Sequence, residues 1–265
     1  MFRQRLLTTL ILIPLVLIGI YYSSYLILNG VILILVLGCS LEWLQLIPIA
    51  KNVEKIIYLI SIVISFLILP WFYTYWLYTS LVIWFLIFIL IQQYPKLQKL
   101  WSYPIIIGLL GILFLPLFGQ GLMSIFVLNK GRMLVVYLLF LVWAADIGAY
   151  LMGKFCGRHK LIPQVSPGKT IEGFFGGFLL TLLVSVVGYF IFQPHFVANW
   201  FIIAVGMTLV ALFGDLFISM LKRRRHVKDT GHLLPGHGGI LDRLDSLIAA
   251  VPFFYWGMCI FAPGI

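Results

Sequence analysis

The sequence predicts an all-α protein held in a membrane, a single domain (1–265) with about nine transmembrane helices. Three observations carry that expectation. Hydrophobic residues make up 63% of the 265 positions and charged residues 10%, against about 25% charged in soluble domains. The apolar residues gather into runs long enough to cross a hydrocarbon core of about 30 Å. The cations fall in the short segments between those runs, where lysine and arginine set orientation. The net charge of +10 thus belongs to loops, not to a basic face of a soluble domain, and no nucleic-acid partner is expected. Cys39, Cys156 and Cys259 lie far apart with no CxxC pair, so neither a zinc ribbon nor a disulfide framework is expected.

In chain order, the first run covers 6–22 behind Arg3 and Arg5. It lacks a small-x-small cleavage pattern and reads as a retained span, not a removed signal. The second covers 25–47. The third and fourth, 56–69 and 76–91, are short, and LPWFYTYW between them reads as an interfacial aromatic belt. Five more follow at 101–118, 133–152, 171–192, 200–221 and 247–263. Alternation from a cytoplasmic N-terminus places Arg3, Arg5, Lys51, Lys55, Lys96, Lys99, Lys154, Arg158, Lys160, Lys169, Lys222 to Arg225, Lys228 and Arg243 inside, and only Lys130 and Arg132 outside. The odd number of spans puts the C-terminus outside. Glu42, Asp146, Glu172 and Asp215 then fall in the cytoplasmic halves of their spans. That suits the rim of a cytoplasm-facing pocket better than a midplane ion pathway. For Glu42 and Glu172, a structural pairing with a neighbouring cation is an even alternative.

The polar stretch 215–246 concentrates the chemistry. If the eighth span stays helical to about residue 225, Asp215, Ser219 and Lys222 lie at i, i+4 and i+7 on one face. A turn with Gly236, Gly238 and Gly239 can bring backbone N–H groups against phosphate oxygens. Asp242, Asp245 and Ser246 share a face if the ninth helix starts early. Carboxylates with few histidines suit Mg²⁺; His232 and His237 have no cysteine partners that would favour zinc. The plainer alternative pairs Asp242 and Asp245 with Arg243 and the Arg223 to Arg225 run. In the loop 153–172, GKT invites a Walker reading, but Pro163 stands where that motif needs glycine. Ser166, Lys169 and Thr170 before a helix start make an anion site, or Thr170 a simple N-cap. Gly173 and Gly177 are assigned to helix packing.

The run SMLKRRRHVKDTGHLLPGHGGILDRLD, residues 219–245, closely resembles the phosphatidate cytidylyltransferase (CDP-diacylglycerol synthase) family of bacterial type. The loop SPGKTIEG is similar to that family's SPKKT-x-EG, with Gly168 where lysine is common, and WAADIGAY (143–150) and GDL (214–216) also look familial. Residues 143–246 thus carry the motifs. The resemblance implies an enzyme of the cytoplasmic (inner) membrane, its site facing the cytoplasm. It would join CTP and phosphatidate into CDP-diacylglycerol and pyrophosphate with Mg²⁺, with a monovalent cation such as K⁺ and a homodimer also implied. It implies metal on Asp215 and Asp242 and a catalytic set of Asp215, Ser219, Lys222, Asp242 and Asp245. Ser166, Lys169, Thr170, Arg223, Lys228, His237, Gly238, Gly239 and Arg243 are the expected substrate contacts. A CTP-dependent lipid-alcohol kinase and, further off, an anionic-solute transporter are the alternatives.

Overall fold

The computed structural model describes residues 2–47, 51–231 and 238–262, and for residues 2–11 the backbone alone. The elements are α1 (Phe2–Tyr22), α2 (Tyr25–Leu46), α3 (Asn52–Gln92), α4 (Gln98–Trp101), α5 (Pro104–Phe126), α6 (Gly131–Cys156), β1 (Lys160–Ile162), β2 (Ser166–Thr170), α7 (Ile171–Phe192), α8 (Val197–Arg224) and α9 (Leu241–Phe261). Seven described helices, α2, α3 and α5 to α9, are long and apolar enough to cross a membrane, and α1 adds the shorter apolar stretch Leu12–Tyr22. Their packing is inverted relative to a soluble bundle. On α7, Gly173, Gly176, Gly177, Thr181, Ser185 and Gly188 face inward, while Phe175, Leu179, Leu183, Val187 and Phe190 face outward. Lipid tails are as apolar as leucine, so association rests on close approach of small residues.

The all-α expectation holds, with one addition and one correction. The addition is an antiparallel hairpin of β1 and β2, Lys160 opposite Thr170 and Ile162 opposite Ser166. The expected third and fourth spans are one 41-residue helix, α3, with Pro70 inside it. That helix is not straight. The Tyr58 hydroxyl lies against Gly111, the Phe66 ring against Gly119 and the Tyr73 hydroxyl against Gly121, so α3 first climbs along α5. Trp84 is then back beside Phe114, their rings stacked 4.6 Å apart. A straight helix would separate residues 58 and 84 by about 39 Å, whereas Gly111 and Phe114 differ by about 4.5 Å of rise. Pro70 has no N–H and crowds the preceding turn, which is how sharp helix kinks arise.

The bundle therefore has two distinct ends. At one, Arg224 Nη1 donates to Leu46 O at 3.2 Å and its Nη2 to Ser102 O, while Arg225 Nε donates to Gln45 O at 3.3 Å. At the other, Lys130 Nζ donates to Phe192 O at 3.2 Å and Arg132 Nη2 to Ser23 O at 3.4 Å. The first end carries the polar loops.

Candidate active site

Helix α8 runs unbroken to Arg224, so Asp215, Ser219 and Lys222 do share a face, and Ser219 Oγ donates to Asp215 Oδ1 at 3.2 Å. Two lysine–carboxylate pairs close the site across elements. Lys169, from β2, sets its Nζ 2.6 Å from Asp215 Oδ2. Lys222 donates to Asp242 Oδ1, on α9, at 2.7 Å. The second pair is the more enclosed, with side chains 14% and 9% exposed against 23% and 29% for the first. Asp242 thus pairs with Lys222, not with the arginine run.

Helix α9 begins at Leu241, early enough to put Asp242, Asp245 and Ser246 in its first turns. Asp242 Oδ2 also accepts from Thr230 N at 2.8 Å and Gly239 N at 3.3 Å. The Gly239 amide is therefore turned to a carboxylate within the chain. Gly238 has φ +83°, and a Cβ there would meet Asp242 Oδ2 and Asp229 at 3.6–3.7 Å. Only glycine adopts that conformation freely. Asp245 is buried, its Oδ1 accepting from Ser246 N at 2.7 Å. It lies close enough to Asp215 for their charges to interact, as do Lys169 and Lys222. The charge of Arg243 reaches Asp146.

The hairpin is docked from two sides. Arg223 Nε donates to Val165 O at 3.1 Å, fixing the turn before Ser166. Glu172 accepts from Arg158 N at 3.0 Å, His159 N at 3.2 Å and the His159 ring at 2.6 Å, so its role is to anchor the strand entry. Thr170 is the N-cap of α7, accepting from Gly173 N at 3.0 Å. Ser166 is half-buried, and Gly168 and Lys228 are exposed. His232, Gly236 and His237 lie outside the described residues.

A cavity of about 240 Å³ opens at the hairpin between α6, α7 and α8. Asp146, Lys169 and Asp215 line its polar part, and Ala145, Ala149, Phe174 and Leu212 its apolar walls. Such a cavity can take a phosphate against lysine while hydrocarbon lies along the walls. Among the described residues no group of three His, Cys, Asp or Glu stands at metal-ligand spacing. The donors are carboxylate and hydroxyl oxygens, with Asp215 and Asp242 each already facing an ammonium. That set fits Mg²⁺, which takes one or two carboxylates and completes its shell with phosphates and water; it does not fit zinc.

Two features escaped the sequence reading. One is Arg223 acting on a backbone carbonyl. The other is Glu42 of α2, buried and bonded to Ile240 N, Leu241 N and Thr230 Oγ1. As a lone acid in an apolar run Glu42 was visible, but its backbone partners on α9 were not.

Comparison with known proteins matches the sequence to a family. A profile of the cytidylyltransferase family matches residues 3–261. The phosphatidate cytidylyltransferase of Pseudomonas aeruginosa is 34% identical over 264 residues, 96% of each chain. The protein of that name from Haemophilus influenzae is 40% identical over 188 residues, so the chain spans 64% of its length. That of Bacillus subtilis is 40% identical over 133 residues, 50% of this chain and 49% of that one. The chain belongs to the cytidylyltransferase family.

Proposed function

We propose that the chain is a phosphatidate cytidylyltransferase, joining CTP and phosphatidate into CDP-diacylglycerol and pyrophosphate. The observation that carries this reading is the pair of lysine–carboxylate contacts, Lys169–Asp215 and Lys222–Asp242, joined through the α8 face that Asp215 and Lys222 share, the first of them lining a cavity with apolar walls, in a member of this family. A phosphatidate phosphate is mostly dianionic near neutral pH, its second pKa being about 6. Its oxygen attacks the α-phosphorus of CTP, a new P–O bond forms, the bond to the β-phosphate breaks, and pyrophosphate leaves with the electron pair. No protein nucleophile is required. The chain supplies position and charge.

Each ammonium has three donors, so Lys169 and Lys222 can hold an aspartate and a phosphate oxygen together. Arg223, Lys228 and Arg243 add positive charge at the rim, Ser166 begins the strand that carries Lys169, and Ser219 holds Asp215 in place. Asp215 and Asp242 would hold Mg²⁺, which when bound neutralises phosphate charge and orients the triphosphate. The apolar walls exclude water and admit the diacylglycerol portion. With α1 counted as a pass and the bent α3 as two, the passes number nine, and the gathering of the basic loops at the site's end then supports a cytoplasmic face of the inner membrane for it.

The test is product analysis with purified protein, phosphatidate vesicles and CTP labelled in the cytidine. Label is expected in the lipid, with pyrophosphate released in equal amount. Release of CDP with no cytidylated lipid would overturn the reading in favour of a lipid-alcohol kinase.

A further inference from the structure

Glu42 is 1% exposed and sits one turn before the end of α2. A buried carboxylate is costly unless its oxygens are satisfied, and its described partners all come from the segment that carries Asp242. Oε1 accepts from Ile240 N at 3.0 Å; Oε2 accepts from Leu241 N at 2.7 Å and Thr230 Oγ1 at 3.3 Å. Helix α9 has no cap of its own: the N-cap position is Ile240, already helical, with no side-chain hydrogen bond. The first N–H groups of a helix are orphan donors carrying partial positive charge, and Glu42 meets two of them from another helix. Gly231 and Gly239 make room for it, since a Cβ at either would stand 2.5 Å from a Glu42 oxygen.

The same loop is held from its other side by Asp242 Oδ2, through Thr230 N and Gly239 N. Thr230 and Gly239 are therefore clamped between two carboxylates, one in the reaction machinery and one on α2. Asp242 is the second residue of α9, so a start shifted by one residue would turn it by about 100°.

We propose that Glu42 is a positioning residue: a cap lent by α2 that fixes where α9 starts, and so how Asp242 and Asp245 face Asp215 and Lys222. Its catalytic consequence rests on the cytidylyltransferase reading of the site; the capping itself does not.

Two measurements on the full chain in nanodiscs test it: hydrogen exchange of the amides of residues 240–242, and steady-state transfer with Mg²⁺ titrated. In Glu42→Gln the amide group turns a donor toward backbone donors, while Glu42→Asp keeps the charge but is one methylene short. For Glu42→Gln the expected result is exchange at Ile240 and Leu241 at least about tenfold faster and kcat lower by about 10–100-fold. Half-saturating Mg²⁺ should rise, with KM for CTP within about threefold. Glu42→Asp should fall between, and Ser40→Ala, which loses only a bond to Val36 O within α2, should match the parent. Wild-type kcat and Mg²⁺ dependence in Glu42→Gln would overturn the proposal. So would a loss explained wholly by a smaller folded fraction, with both constants unchanged per folded molecule. If Glu42→Gln does not fold, Thr230→Val removes one bond of the clamp and must move kcat and the Mg²⁺ dependence in the same direction; no movement overturns the proposal. If the parent chain transfers no cytidylyl group, the functional reading fails, and exchange at residues 240–242 alone decides whether Glu42 caps α9.

Discussion

Asp215 and Asp242 are held by the same chemistry in unlike surroundings, and their amide variants separate catalysis from stability. Asp215→Asn and Asp242→Asn are each expected to abolish transfer, because the neutral amide neither holds a divalent cation nor balances the facing lysine. Their effects on stability should diverge. Lys222 and Asp242 are almost enclosed, and stripping one partner from a buried pair costs about 3–5 kcal/mol. The Lys169–Asp215 side chains keep about a quarter of their surface in solvent, so screening reduces the loss there to about 1 kcal/mol. Thermal unfolding in detergent beside the transfer assay checks both, and full activity in either variant would remove the metal assignment. The face shared by Asp215, Ser219 and Lys222 was legible from spacing because helix periodicity is local. The partners were not, since Lys222 reaches Asp242 across a loop and Lys169 reaches Asp215 from another element. Nor was the Gly239 amide, which spacing offered to phosphate and the fold gives to Asp242.

Among the elements, α6 and α7 approach most closely, and the reason lies in residues too small to separate them. A Cβ on Gly177 would stand 2.6 Å from Ala145 O, and one on Gly173 2.8 Å from Ala149 O. The same four residues line the cavity, so the contact that joins the helices also shapes the apolar wall. Gly177→Leu should drive α7 away from α6, carry the hairpin with it and lower transfer at least about tenfold, since a displacement near 1 Å can cost about 100-fold. Leu183→Ala on the lipid-facing side should leave transfer within about twofold of the parent. The far end of α7 offers a change of opposite sign. Gln193 ends that helix at φ +51° with its N–H on Tyr189 O, a left-handed position that glycine occupies without strain. Gln193→Gly should stabilise by about 0.5–1 kcal/mol, read as a rise of about 1–4 °C in unfolding temperature. The packing role of the GxxxG pair was legible in sequence. The hairpin was not, because five residues of SPGKT carry no strand alternation and pair only through the backbone.

At the scale of the whole molecule, the bend in α3 decides on which side the chemistry lies. Were α3 one straight pass, every loop after it would change sides, and most of the lysines and arginines would face outward against the positive-inside tendency. The hydropathy of residues 56–91 could not distinguish these cases, since both halves are apolar and LPWFYTYW continues as helix. The contacts show the bend, because Tyr58 and Trp84 lie beside neighbouring positions of α5. Glu42, Ser102, Val165, Lys169 and Lys222 then gather at one end, and Lys130 with Phe192 at the other. Single cysteines at 130 and 168 test this in a chain with Cys156 and Cys259 replaced and Cys39, which is buried, retained. Lys130→Cys gives up one bond to a carbonyl and should transfer normally; Gly168→Cys points into open space. A membrane-impermeant maleimide applied to intact cells should label position 130 at once and position 168 only after permeabilisation. The reverse pattern would mean that the bundle is inserted the other way up and that the site faces away from the CTP supply, and both labelled together would mean that the two ends share one aqueous side.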